Sequence, residues 1–211
     1  MVMPTLAHPE YVIGVDLGQR RDYSAVTVLE LAETTDGTRD PVTMEFRRER
    51  VIRLRHVKRI PIGTPFGGVV DQVARMVRDP RLKDCTLVVD ATGLGAPVVE
   101  LLRAERLPCR LIPAQITGGL EEGSDGVYYR VPKRDLITGL QVLIEQWPFE
   151  IADGPDAELL VQELLGMRAT RGAGGGLRYG GPKDDMAMSL ALAWWWMRKR
   201  VAWGRRLLAA A

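Results

Sequence analysis

Two short apolar, β-branched stretches in this chain each run straight into an aspartate: Tyr11-Val-Ile-Gly-Val before Asp16, and Thr86-Leu-Val-Val before Asp90. Such runs read as sheet strands. A charged group that ends an apolar strand is costly without a partner. A third acidic site, Lys183-Asp-Asp-Met, opens an Ala-, Leu- and Trp-rich stretch that reads as a helix buried on most sides. A sheet edge and a helix mouth can gather Asp16, Asp90, Asp184 and Asp185 into one cluster. Clustered carboxylates raise one another's pKa unless a cation sits between them. Hard oxygen ligands of this kind favour Mg²⁺ or Mn²⁺.

The order of elements narrows the architecture further. Residues 11–16 and 24–31 read as strands joined by a polar turn at 19–22, with Asp22 in that turn. Asp36-Gly37 marks a second turn, and a third strand follows within 42–57, so the chain opens as an antiparallel meander. Val70, Val73, Ala74 and Val77 recur at helical spacing, and Asp79-Pro80 stops that helix. A strand at 86–90, a helix at about 96–106 and a strand at 109–114 then form a β-α-β-α-β succession. Its later strands should be parallel to one another.

The second half reads as mainly helical. Leu136, Leu140, Leu143, Ile144 and Trp147 share one face of a helix at about 133–147. Pro155 opens another, with Leu159, Leu160, Leu164 and Met167 expected to be buried. Residues 171–182 carry six glycines and read as a loop with a short hairpin near 177–179. The last helix is expected from about 184 into the 190s, with a basic tail beyond Arg198 that frays.

Bulk properties bound the rest. At 211 residues one domain is expected, large enough to bury its own core. The net charge of +2 does not indicate a nucleic-acid partner, so the distribution of charge has to be read instead. Residues 47–59 hold Arg47, Arg48, Arg50, Arg53, Arg55, Lys58 and Arg59 against only Glu49. That run is either a phosphate-binding stripe or a charged edge strand that resists aggregation. Cys85 and Cys109 lack metal-ligand spacing and read as reduced core thiols. His8 and His56 form no catalytic dyad, and the Gly172–176 run is not followed by the Lys-Ser/Thr of a phosphate-binding loop. The leader has no apolar core of a signal peptide, and no stretch approaches a membrane span.

Gly14-Val-Asp-Leu-Gly with Asp22-Tyr-Ser-Ala, Val89-Asp-Ala-Thr-Gly-Leu-Gly, Val131-Pro-Lys-Arg-Asp-Leu and Lys183-Asp-Asp-Met-Ala-Met-Ser-Leu-Ala-Leu-Ala occur in that order. In order and spacing they resemble the nuclease domain of tailed-bacteriophage terminase large subunits, within the ribonuclease H-like, RuvC-like superfamily. The resemblance spans roughly residues 11–197. It implies an α/β fold with a central mixed sheet of five or more strands, strands 1–3 forming an antiparallel meander and helices covering both faces. The expected organisation is a flexible leader at 1–10, one nuclease domain at 11–199 and a basic tail at 200–211.

By that resemblance Asp16 and Asp90 are the first two metal-binding acids, and Asp184-Asp185 is the closing pair. Asp185 is favoured as principal ligand, with Asp184 a second ligand or a helix N-cap. The family's closing motif often reads His-Asp-Asp; this chain has Lys183, an ammonium that either weakens metal binding or contacts a DNA phosphate. Lys133, Lys183, Asp22, Arg53, Arg55 and Arg178 are candidate substrate contacts. The implied activity is divalent-metal-dependent cleavage of double-stranded DNA, with little sequence preference, during genome packaging. Two Mg²⁺ or Mn²⁺ ions are expected with DNA bound, set about 3.5–4 Å apart for in-line displacement. The implied partners are a terminase ATPase domain, the small terminase subunit and the portal, in the cytoplasm of a bacterial host. With no ATPase motif, the chain is expected to be the nuclease half alone or a split-gene product. Three other readings stay open: a RuvC-like Holliday junction resolvase, a sugar-kinase-like nucleotide binder, and a non-catalytic DNA-binding or motor-docking module.

Overall fold

The opening meander forms where the Val-, Ile- and Leu-rich runs place it. Strands β1 (Glu10–Asp16), β2 (Ser24–Thr34) and β3 (Glu49–Ile60) pair antiparallel in sequence order. The computed structural model describes residues 8–18, 22–93, 95–171, 177–181 and 183–208, with the backbone alone for 169–171, 177–179 and 200–208. Most of the leader, residues 19–21 of the first turn and the glycine run at 172–176 therefore lie outside the described residues. Gly37 supplies the positive φ (84°) of the second turn, which Asp36 closes by accepting a 2.8 Å hydrogen bond from the Thr38 amide. Strand β3 starts later than expected because Asp40 closes a separate turn, accepting from the amides of Val42 and Thr43 at 2.9 Å each.

Helix α1 (Phe66–Val77) ends before a 3-10 turn at Pro80–Leu82, and β4 (Thr86–Asp90), α2 (Gly95–Ala104) and β5 (Arg110–Thr117) follow. Short strands β6 (Gly123–Ser124) and β7 (Tyr129–Pro132) lead into α3 (Lys133–Gln146), then β8 (Phe149–Ile151) and α4 (Ala157–Gly166). Strands β9 (Arg168–Arg171) and β10 (Leu177–Gly180) form the hairpin before α5 (Asp185–Leu208). The main sheet has eight strands in the order β6-β7-β5-β4-β1-β2-β3-β8. Strands β4, β5 and β7 continue parallel outward from β1, and β8 is parallel to β3. The sheet is α/β and mixed, as expected, and wider than the apolar runs alone indicate. Strands β6, β7 and β8 are two to four residues long, too short for a period of two to register.

Alternation divides the sheet between two cores. Ile13, Val15, Val26, Val28, Leu87 and Val89 pack with Val69, Val73 and Val99 of α1 and α2. On the other face Val12, Ala25, Leu29, Leu54, Val88 and Ile112 meet Leu140 of α3, Leu160 of α4, and Trp194 and Trp195 of α5. Burying each such aliphatic side chain contributes roughly 1.5–3 kcal/mol. Gly14 lies on this second face, where a Cβ would stand 1.9 Å from the carbonyl oxygen of Ser189. Glycine therefore lets α5 lie directly on β1.

Three local expectations are corrected. Ile144 is 51% exposed, because the inward line of α3 is Leu136, Gly139, Leu140 and Leu143. Leu159 is 37% exposed, because α4 turns Ala157, Leu160 and Glu163 inward instead. Helix α5 continues through the basic tail to Leu208 rather than ending near Arg198. Cys85 is buried and Cys109 half-buried, and both are free thiols. No helix among the described residues is long and apolar enough to cross a membrane.

Candidate metal centre

The register of β1 and β4 brings the first two acids together. Gly14 pairs with Val88 and Val15 with Val89 in parallel, so one residue further along Asp16 stands beside Asp90. Neighbouring strands lie about 4.8 Å apart. Asp16 follows Val12 and Gly14 in the alternation, and Asp90 follows Val88, so both carboxylates rise on the face that α5 covers. This is the carboxyl end of the parallel strands, where open α/β sheets hold ligands. Helix α5 begins at the same edge with Asp185, and the Asp184 carbonyl accepts the Met188 amide at 2.7 Å, as an N-cap residue does. Strand β7 ends there too, which sets Lys133 at the first position of α3.

These residues line a cleft of about 560 Å³. Its walls include Asp16, Asp90, Asp184 and Asp185, faced by Asp22, Lys133 and Lys183. Asp90 is pinned by an Asx turn, its Oδ1 accepting from the Thr92 amide at 2.8 Å, while Thr92 Oγ1 accepts from the Ile116 amide at 2.7 Å. Lys133 Nζ donates to Asp184 Oδ2 at 2.9 Å. Lys183 is exposed, with its ammonium 5.6 Å from the centre of the Tyr23 ring. The Arg59 guanidinium lies over the same ring at 4.7 Å.

The remaining substrate-contact candidates lie elsewhere or outside the description. Arg59 sits opposite Ala25, the partner of Asp16, and Arg53 is six residues further along β3, roughly 20 Å away. Arg53 donates to Glu150 at 2.6 Å and stands 3.6 Å from Glu30, and Arg55 also stands 3.6 Å from Glu30. Apart from Arg59, the basic run is therefore largely ion-paired away from the acids. Arg178 belongs to β10 by its backbone, and its side chain is outside the described residues.

Sequence reasoning missed Glu163 and Tyr23 and did not single out Arg59 from the basic run. Glu163 is 6% exposed; it holds the Arg59 guanidinium with one carboxylate oxygen and accepts from the Ala187 amide with the other at 2.9 Å. The signal was present: an acid three residues after Leu160, on the apolar stripe of α4.

Electrostatics mark the acids as short of positive charge. Burial first, then the Asp90, Asp185 and Asp184 carboxylates, push Asp16 well above the ordinary carboxylate range, with Lys133 opposing. Burial also raises Asp90, against the hydrogen bonds it receives from Thr92 and Asp16. Asp185 is pushed up to about 6, by burial first and then by Glu163, with Arg59 opposing and Asp184 and Asp22 adding to the rise. An all-oxygen, electron-rich donor set of this kind fits a hard divalent cation. The side chains do not yet form a closed ligand shell: among the described residues, no three His, Cys, Asp or Glu side chains converge on one point.

Eight mixed strands, the opening meander, helices on both faces and acids at the switch between β1 and β4 define a ribonuclease H-like α/β fold. More particularly, the fold is that of phage large-terminase nuclease domains. The cobalt-bound large terminase nuclease of thermophilic phage G20c matches at 22% identity, covering 91% of this chain and 89% of its own, with a TM-score of 0.56. The nuclease domain of Thermus phage P74-26 matches at 24% identity over 88% of this chain and 78% of its own, with a TM-score of 0.57. The manganese-bound nuclease domain of the bacteriophage SPP1 large terminase matches at 12% identity over 87% and 84%, with a TM-score of 0.53. No protein-family model and no curated protein matches the chain.

Proposed function

We propose that this chain is a divalent-metal-dependent endodeoxyribonuclease that cuts double-stranded DNA, with little sequence preference, during phage genome packaging. The observation that carries the reading is the register that sets Asp16 beside Asp90, with Asp185 opening α5 over them. The shared fold with metal-bound terminase nucleases supports it. Asp16, Asp90 and Asp185, with Asp184, are the residues that would hold the metal. Bound Mg²⁺ or Mn²⁺, two ions once DNA is present, would supply the Lewis acidity for in-line attack of a water on phosphorus, the water oxygen entering the 5′-phosphate as the bond to the 3′ oxygen breaks to leave a 3′-hydroxyl.

The protein's own groups do the positioning. The first-turn amides of α3 and α5 point positive potential at the cleft, which suits a phosphate. Lys133 and Lys183 add mobile positive charge beside the acids. Arg59, stacked on Tyr23 and paired to Glu163, steadies the wall behind Asp185. The expected setting is the cytoplasm of a bacterial host, with a terminase ATPase domain, the small subunit and the portal as partners.

The test is cleavage of supercoiled plasmid by wild type and Asp90→Ala, each with Mn²⁺, Mg²⁺ or EDTA. Metal-dependent nicking and linearisation, lost in the variant, is the expected result. A folded wild type that cuts in neither metal would overturn the catalytic reading in favour of a docking module. Selective cutting of four-way junctions over linear duplex would replace it with a junction resolvase.

A further inference from the structure

Lys133 occupies an unusual place for a lysine. It is the first residue of α3, where the helix dipole disfavours a cation. What holds it there is Asp184, at 2.9 Å, with the lysine side chain 37% and the aspartate side chain 22% exposed. Gly180 at the end of β10 closes over the pair: a Cβ there would lie 2.6 Å from Asp184 Oδ2 and 3.2 Å from Lys133 Nζ. The ammonium thus sits where the acid cluster would present a cation with an oxygen ligand.

We infer that Lys133 is a resident counter-ion, holding Asp184 while DNA is absent and leaving it for a DNA phosphate, so that the metal shell closes only on substrate. The inference rests on the nuclease reading and deepens it. Lysine suits the role, since its compact charge rides on a flexible four-carbon stem and can swing between a carboxylate and a phosphate. The amides at the start of α3 already favour an anion at that point. Metal and DNA then bind cooperatively. By linkage, the factor by which DNA tightens metal binding equals the factor by which metal tightens DNA binding.

Calorimetric titration of Mn²⁺ tests this on wild type, Asp90→Ala, Lys133→Met and Lys133→Arg, each with and without a short phosphorothioate duplex that resists cutting. Circular dichroism first establishes that each variant is folded. Without duplex, Lys133→Met should bind Mn²⁺ roughly ten-fold tighter than wild type, because a repelling charge is gone. Lys133→Arg, which keeps the charge, should not bind tighter. Adding duplex should tighten Mn²⁺ binding to wild type and leave Lys133→Met nearly unchanged. If wild type binds Mn²⁺ through Asp90 but Lys133→Met binds no tighter, the counter-ion idea is overturned and the nuclease reading stands. If no form binds Mn²⁺ with or without duplex, both fall together.

Discussion

Glu163 on α4 accepts a 2.9 Å hydrogen bond from the backbone amide of Ala187, in the first turn of α5, across a gap that the chain closes only by folding. The first amides of a helix have no acceptor within it. A buried carboxylate from another helix supplies one here, while its second oxygen holds Arg59 of β3. One side chain therefore fixes where α5 starts, and with it where Asp185 stands.

Removing that side chain should be expensive. Glu163→Ala leaves the Arg59 guanidinium largely buried without its carboxylate, a change that typically costs about 3–5 kcal/mol. Glu163→Gln keeps an acceptor for Ala187 and should cost less, and by deleting a neighbouring negative charge it should lower the pKa of Asp185 from about 6. Urea denaturation measures the first effect and carboxyl NMR titration the second; an unshifted Asp185 would show that Glu163 does not act on it.

Gly14→Ala should loosen the seat of α5. Its Cβ would meet the Ser189 carbonyl at 1.9 Å, so helix or strand must move. Overpacking of this kind costs about 1–3 kcal/mol, and more where the obstacle is backbone. Reduced stability with weaker Mn²⁺ binding is expected, whereas a change neutral in both would mean that α5 does not rest on β1.

Stability without metal should depend on pH in a defined direction. Asp185 has a native pKa of about 6 against an ordinary 3.8, and Asp16 and Asp90 are also raised. Between those values the native state binds more protons than the unfolded state, so unfolding free energy falls as pH rises through that window. For Asp185 the loss is complete above about 6. Denaturant titrations at stepped pH should trace this slope, and Asp185→Asn should flatten it. A wild type that grows more stable over the same window would refute the assignment.

Arg53 and Glu30 form a structural pair by their burial. Glu30 is 5% exposed, and among the described residues its Oε2 has no hydrogen-bond partner, only the 3.6 Å approaches of Arg53 and Arg55. Arg53→Met should therefore destabilise the protein, by about 1–3 kcal/mol since Arg55 and Tyr11 still face Glu30, and adding Glu30→Gln should recover part of the loss. Strict additivity in the thermal-melt cycle would show that the two residues do not interact.

The backbone plan was open to reading in one dimension because its signals are local. Unbroken Val-, Ile- and Leu-rich runs mark β1, β2 and β4, helical spacing marks α1 and α3, and each acid stands at one end of the apolar run that positions it. Asp16, Asp90 and the Asp184-Asp185 pair are therefore visible in the sequence as members of a shared edge. The tertiary structure alone decided their neighbours. Register put Asp16 beside Asp90 rather than beside another strand end. Packing turned Glu163 inward in place of Leu159 and joined it to Arg59, residues far apart in the chain. It also tied Arg53 and Arg55 to Glu30, away from the acids, although in sequence they belong to the same basic run as Arg59. A charge on a strand reads the same whether it faces water, a phosphate or a buried carboxylate. Which of these it meets depends on contacts between distant segments, and those exist only once the sheet and its helices have closed.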